Sequence, residues 1–442
     1  MSTIVALSTP PGRGAIAVIR LSGPEALSIT KRLAVDLNNV KARRATLTRI
    51  CLPGTEETLD EALVTFFNAP ESVTGEDVIE ISCHGSPVIV REILDLTVSL
   101  GARFATPGEF TLRALTNHKI NLVQAEAIRD LIAAQTDAAV KQAARQVGGE
   151  LSHTITSLEE KLVSVIVVLE SALEFVEDDL PPAELGSIKT KLTSVRNGIG
   201  DLADSYSAGR LLHSGIKIAI VGSPNVGKSS LFNRLVSRDR AIVTDVPGTT
   251  RDTLSETIDL EGIPVLLTDT AGLRETTDTI ESLGIERTKR AIIDADLVLE
   301  VIDATYPSVD EFDRDQCATI IRVLNKCDLE IAPGFLSEKD SVRISALTSE
   351  GIESLRTVIL TFLKREDVDN EGLLVTNARH YDLLKSASTE LDNAISALND
   401  RLSEELILVS LHNALKYLGQ ITGETTTEDI LSQVFATFCI GK

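Results

Sequence analysis

The chain has 442 residues, 43 Lys+Arg against 65 Asp+Glu, and a net charge of −22, so it is long enough for about three domains and its bulk surface repels phosphate backbones. A nucleic-acid partner must therefore dock on a local patch. The cysteines, Cys51, Cys83, Cys317, Cys327 and Cys439, show no C-x-x-C spacing that would suggest zinc or a disulfide framework, and neither a signal peptide nor a long apolar run is evident, so the expectation is a cytoplasmic protein without a membrane span.

Residues 1–117 read as mixed α/β. Strand-like runs fall at 3–7, 15–21, 63–67 and 77–82, and helical patterns at 23–35 and 87–100. Polar glycine-bearing turns stand out at PPGRG, TGED, His84-Gly85 and TPGE. Turns of this kind are usually chain reversals.

From about 120 to 207 the pattern changes to long helix. LVQAEAIRDLIAAQTDAAVKQAARQV has apolar residues at helical spacing and no internal Gly or Pro, predicting one helix over 122–147. Further helices are expected over 151–176 and 185–203, then again over 377–401, 404–418 and 427–438. Helix on both sides of an α/β segment suggests an inserted domain, with joints in the polar stretches 205–215 and 365–372. Two separate small helical domains are the alternative.

Between them lies the strand-like run Ile216 to Val221, then Gly222-Ser223-Pro224-Asn225-Val226-Gly227-Lys228-Ser229-Ser230, which fits G-x-x-x-x-G-K-[ST]. The glycines let backbone N–H groups turn toward a phosphate, Lys228 reaches the outer phosphates, and Ser229 is placed to ligate Mg²⁺. A hairpin over 253–260 and 263–268 leads into Asp269-Thr270-Ala271-Gly272, where Asp269 suits a water-mediated hold on Mg²⁺ and Gly272 an N–H to the γ-phosphate. Strands over 297–302 and 319–324 follow, the second running into Asn325-Lys326-Cys327-Asp328. Asp328 can accept guanine N1–H and N2–H, a donor pair that adenine lacks, and Ser345-Ala346-Leu347 can offer N–H to the guanine carbonyl. Four motifs in this order at strand ends predict a GTPase. The position of the water-orienting glutamine is Leu273, so another group must position the water. Between P-loop and hairpin lies Thr244-Asp245-Val246-Pro247-Gly248-Thr249-Thr250, with Thr250 the natural second Mg²⁺ hydroxyl; no arginine is evidently poised as a finger, Arg251 and Arg274 being the candidates left open.

The set PNVGKSS, TDVPGTTRD, DTAGLRE and NKCD, with PPGRG, SVTGEDVIEISCHG, TPGEFTLRA and a terminal CIGK, resembles the tRNA-modification GTPases called MnmE or TrmE, of the TrmE-Era-EngA-like group. The resemblance spans essentially the whole chain. It implies a multidomain α/β and all-α fold: an N-terminal folate-binding-like domain that also dimerises (1–117), a helical domain in two parts (118–212 and 367–442), and an inserted Ras-like G domain with a mostly parallel sheet (213–366). It implies a homodimer, an FAD-dependent partner subunit in a heterotetramer, and tRNA modified at carbon 5 of the wobble uridine. It implies that K⁺ replaces the arginine finger, held by Asn225, Thr244, Val246 and Thr249, and that Glu281 orients the attacking water. It also implies a 5-formyl- or 5,10-methylenetetrahydrofolate site at Arg20, Glu80, Lys119 and Lys442, with Cys439 close by, its thiol either assisting the chemistry as a catalytic group or only packing. A ribosome-assembly GTPase is the alternative, but neither flank shows the basic RNA-binding module it needs. A purely structural N-terminal dimerisation domain is a further one.

Overall fold

The computed structural model describes every residue except 1, 36, 38, 39, 56, 175–181, 239–253, 270–290, 307–318, 337–339, 365–371, 425–430, 432, 433 and 442. The chain falls into two compact units, Met1–Arg129 with Gln146–Val163 and His412–Lys442, and Asp130–Arg145 with Ser164–Leu411.

The first unit contains β1 (Ile4–Leu7), β2 (Ile16–Ser22), α1 (Ala26–Leu33), β3 (Thr46–Cys51), β4 (Thr58–Phe67), β5 (Val78–His84), α2 (Pro87–Ser99), β6 (Arg103–Phe104) and α3 (Glu109–Thr116). Its sheet runs β3-β4-β5-β2-β1-β6, with all pairs antiparallel except β1 with β6. Successive residues of a strand face opposite sides. Val5, Ile19, Ala62, Val64 and Ile81 therefore pack under Ile29 and Leu33 of α1 and Ile93 of α2, while Ile4 and Ala6 meet Ala105 and Phe110. Strand β3 and the first half of β4 were not expected. Arg49, Glu61 and Thr58 interrupt their apolar pattern, but the cross-strand register Thr46↔Val64 to Cys51↔Thr58 satisfies both backbones.

The chain then continues through α4 (Leu122–Ala133), α5 (Asp137–Val147), α6 (Glu150–Glu174), α7 (Pro182–Asp204) and α8 (Tyr206–Ser214). Two helices replace the single one expected over 122–147. Thr136 starts α5 as a side-chain cap: its Oγ1 accepts from Ala139 N (3.2 Å) and donates to Gly262 O (2.7 Å). The polar stretch 205–215, expected as a joint, is largely helix: α8 packs Ala208, Leu211 and Leu212 into the core of the second unit. A Cβ on Gly209 would lie 2.1 Å from Val375 O, so this contact requires glycine.

The second unit holds β7 (Ile216–Val221), α9 (Lys228–Arg238), β8 (Leu254–Leu260), β9 (Ile263–Asp269), β10 (Leu297–Asp303), β11 (Ile320–Asn325), β12 (Ser341–Arg343), α10 (Ile352–Lys364) and α11 (Ala378–Asn399). The chain continues into α12 (Glu404–Thr422). The sheet order is β12-β11-β10-β7-β9-β8; β8 is antiparallel to β9 and every other pair is parallel. Buried runs such as Ile218, Ile220, Leu297 and Leu299 match a sheet covered on both faces. Helices α7 and α11 pair through Arg196–Asp392 (2.9 Å) and Lys189–Asn399 (2.6 Å), and Tyr206 stacks on Tyr381 at 4.5 Å. Half of the helix expected over 427–438 lies outside the described residues; of the rest, 431 and 434–436 are helical.

Candidate functional site

In an open α/β sheet, ligands meet the chain beyond the carboxyl ends of the parallel strands. β7 ends at Val221, and the next residues turn back on themselves: Gly222 has φ +143°, Asn225 +62° and Gly227 +99°. Added Cβ atoms would approach Val301 O at 2.2 Å from Gly222 and Asn325 Nδ2 at 2.2 Å from Gly227. Both positions need glycine for close approach as well as for φ. Ser230 follows on α9 and is exposed.

Lys228 is 7% exposed and its Nζ donates to Gly222 O (2.8 Å) and Ser223 O (2.7 Å), so the ammonium is held over the loop. Asp269, at the end of β9, is fully buried and accepts from Ser229 Oγ at 2.7 Å. The start of α9 and the end of β9 thus bring together a hydroxyl and a desolvated carboxylate, a donor set that fits Mg²⁺ with its water shell.

Asn325, at the end of β11 and 2% exposed, donates through Nδ2 to Val226 O (2.8 Å) and accepts through Oδ1 from Ala346 N (2.9 Å). It ties the P-loop to the Ser345-Ala346-Leu347 loop. Ser345 is itself fully buried, and its Oγ accepts from Thr348 N at 3.1 Å. Lys326 adopts φ +66° and pairs with Asp303 at the end of β10; burial opposes the Asp303 charge, but hydrogen bonds from Lys326 and Thr305 outweigh it and hold the carboxyl below its usual range. Asp328 is exposed, open to a base. The Lys326–Asp303 pairing had no signal in the sequence.

Thr244, Asp245, Val246, Pro247, Gly248, Thr249, Thr250, Thr270, Ala271, Gly272, Glu281 and Lys442 lie outside the described residues, as do Arg251, Leu273 and Arg274.

In the first unit, Arg20 on β2 and Glu80 on β5 are register partners and form an ion pair at 2.8 Å. Arg20 also lies 5.9 Å above the Phe110 ring. Lys119 lies beside Gly75, its Cγ 3.3 Å from where a Gly75 Cβ would be. No hydrogen bond or ion pair joins Lys119 to Arg20 or Glu80 among the described residues. The C-terminal segment returns to the end of β1: Ser8 Oγ donates to Gly441 O at 3.1 Å, and a Cβ on Gly441 (φ +100°) would lie 2.2 Å from Leu7 O. Exposed Cys439 accepts through its carbonyl from Gly108 N at 3.4 Å.

The turn carrying Gly108 is held by charges that the sequence reading had not singled out. Glu109 accepts from Arg103, from Arg113 Nη2 (2.9 Å) and from Thr106 N (3.0 Å), and Arg113 also reaches Glu76 (2.7 Å) and Ser2 O (2.8 Å). Burial raises the Glu109 pKa, yet the Arg103, Thr106 and Arg113 hydrogen bonds together bring it from 4.5 down to about 2. The i, i+4 spacing of Glu109 and Arg113 was the available signal. In the His84-Gly85 turn, the exposed His84 ring is fixed through Nδ1 by the buried Asp60 at 2.7 Å, a partner the sequence reading had not named.

Comparison with known proteins follows the same division of the chain. Residues 3–119 match the family model described as the GTP-binding protein TrmE N-terminus, and residues 122–439 match that of the MnmE helical domain. Among proteins named tRNA modification GTPase MnmE, that of Koribacter versatilis is 45% identical over 100% of this chain and 99% of its own. That of Aquifex aeolicus is 41% identical over 99% of each, and that of Thermotoga maritima 40% identical over 100% of each. With relatives matched from end to end and both models in chain order, the chain belongs to the MnmE family of tRNA-modification GTPases.

Proposed function

We propose that the protein is a potassium-dependent GTP hydrolase that, with an FAD-dependent partner, modifies carbon 5 of the wobble uridine of tRNA using a one-carbon tetrahydrofolate donor. The G domain, 213–366, is the switch inserted between helical parts 118–212 and 367–442, and 1–117 is the folate and dimerisation domain of a cytoplasmic homodimer. The observation that carries the GTPase half is the convergence of Ser229, Asp269 and Asn325 on the P-loop, with Asp328, the candidate guanine reader, exposed three residues beyond Asn325.

In this reading the loop from Gly222 to Ser229 binds the phosphates, Lys228 exchanges its two carbonyls for the outer phosphates, and Ser229 with Thr250 holds Mg²⁺ while Asp269 orients its water shell. Mg²⁺ and K⁺ supply positive charge against the charge that develops between the β- and γ-phosphates. Asn225 offers an exposed amide oxygen to K⁺, joined by Thr244, Val246 and Thr249, and Glu281 orients the attacking water. In the first unit, Arg20 and Glu80 suit a ligand with a carboxylate tail and a pterin ring, with Lys119, Lys442 and Cys439 completing the set. The charge of −22 is consistent with a partner that provides most of the tRNA-binding surface.

The test is steady-state GTP hydrolysis by the purified chain in potassium and in sodium at matched ionic strength. A large potassium advantage is expected; equal rates would refute the cation site. Titration with 5-formyltetrahydrofolate tests the first unit separately, and absence of binding there would leave it a structural domain.

A further inference from the structure

Helix α9 begins at Lys228 and carries Arg234 farther along. Its guanidinium does not meet a carboxylate among the described residues. Instead Nε donates to Ala346 O at 3.2 Å and Nη2 to Leu347 O at 2.9 Å. Its neighbour Arg238 on the same helix forms the ordinary ion pair, with Glu353. Arg234 thus commits a charged, forked donor to two successive carbonyls of the loop that follows β12.

The geometry of the peptide group gives this clamp a consequence. In a trans peptide the C=O and N–H point to opposite sides of the chain, and Ala346 C=O shares its peptide unit with Leu347 N–H. Fixing the oxygen fixes where that N–H is aimed, and a cation on the oxygen polarises the amide and makes its hydrogen a better donor. The neighbouring amide is already committed, since Ala346 N–H donates to Asn325 Oδ1 at 2.9 Å. Leu347 N–H has no partner among the described residues, and the Leu347 side chain is 78% exposed. Packing of that side chain therefore does not hold the residue in place; the two carbonyl contacts do, beside the hydrogen bonds of Ala346 N to Asn325 and Thr348 N to Ser345 on either side.

We propose that Arg234 is a positioning residue for base specificity: by holding the carbonyls of Ala346 and Leu347 it aims the Leu347 N–H at the O6 carbonyl of guanine. This rests on reading the second unit as a GTP site. It adds a residue of the phosphate-binding helix to base recognition, so one helix orders the ligand at both ends.

The test measures dissociation constants of the full chain for GDP, IDP and 6-thio-GDP by calorimetry, in wild type, R234A and R234K. IDP lacks only the exocyclic amine that Asp328 reads. 6-Thio-GDP keeps both Asp328 donors but replaces O6 with a poor acceptor. Wild type is expected to bind GDP more tightly than either analogue. R234A should weaken GDP about tenfold, bring the GDP to 6-thio-GDP ratio close to one, and leave the GDP to IDP ratio unchanged; R234K, with a charge but no fork, should fall between. An R234A chain that weakens all three nucleotides equally overturns the proposal, because a merely structural role would do that. So does a wild type that binds GDP and 6-thio-GDP alike. A wild type that binds no GDP refutes the GTP-site reading itself, a different failure.

Discussion

Replacing Glu109 by Gln removes one charge from a site whose geometry sets the size of the effect. The Glu109 side chain is 10% exposed; Arg103, its stronger partner, is 47% exposed and partly screened by solvent, while Arg113, at 6%, is screened little. The carboxyl falls from 4.5 to about 2; at about 1.4 kcal/mol per unit, its ionised form stabilises the first unit by about 3 kcal/mol. Because the folded value is depressed, that stabilisation is fully present above pH 4.5 and is lost as pH falls toward 2. E109Q should therefore be less stable than wild type by up to about 3 kcal/mol at pH 6 and by less than about 1 kcal/mol at pH 2.5, where the pH is close to the folded value of the Glu109 carboxyl. The assay equilibrates the full chain in urea at each pH, labels all samples with a deuterium pulse at one fixed pH, and reads peptides covering 103–117 by mass spectrometry. With a slope of about 2 kcal/mol per molar urea, the midpoint should shift by roughly 1.5 M at pH 6. The same shift at both pH values would refute the argument, since the loss would then come from shape and not charge.

Three further outcomes are expected. Lys228→Ala abolishes nucleotide binding in calorimetry, because the phosphates lose their buried ammonium. Glu281→Ala leaves GTP affinity intact and slows hydrolysis by about 10²-fold or more; equal loss of both would make Glu281 structural. Glu159, 8% exposed, is raised by burial and then by Glu424 from 4.5 to about 7, so its ionisation opposes folding as pH rises past 4.5 and the full cost is reached above 7. Glu159→Gln should accordingly raise the urea midpoint of peptides covering 151–162 at pH 8 and leave it unchanged at pH 4.5.

The sequence by itself determined the elements whose signals are local. Strand β7 occupies the expected run Ile216–Val221, and the β8–β9 hairpin turns at Glu261-Gly262 as the Gly and apolar alternation require. The strands feeding Asp269 and Asn325 were legible for the same reason, because a run buried on both faces and ending in a polar motif is recognisable without its neighbours. Tertiary structure decided the rest. Helicity over 122–147 reads as continuous from propensity, yet it breaks where Thr136 caps α5 and reaches Gly262. The stretch 205–215 is polar in sequence, but burying Leu211 and Leu212 against a sheet makes it a helix. Arg234 on two carbonyls, Arg113 on Glu76 and Gly441 against Leu7 join residues distant in sequence. No periodicity encodes such contacts, because their energy comes from burying a charge or a backbone group beside a partner that only the folded chain supplies.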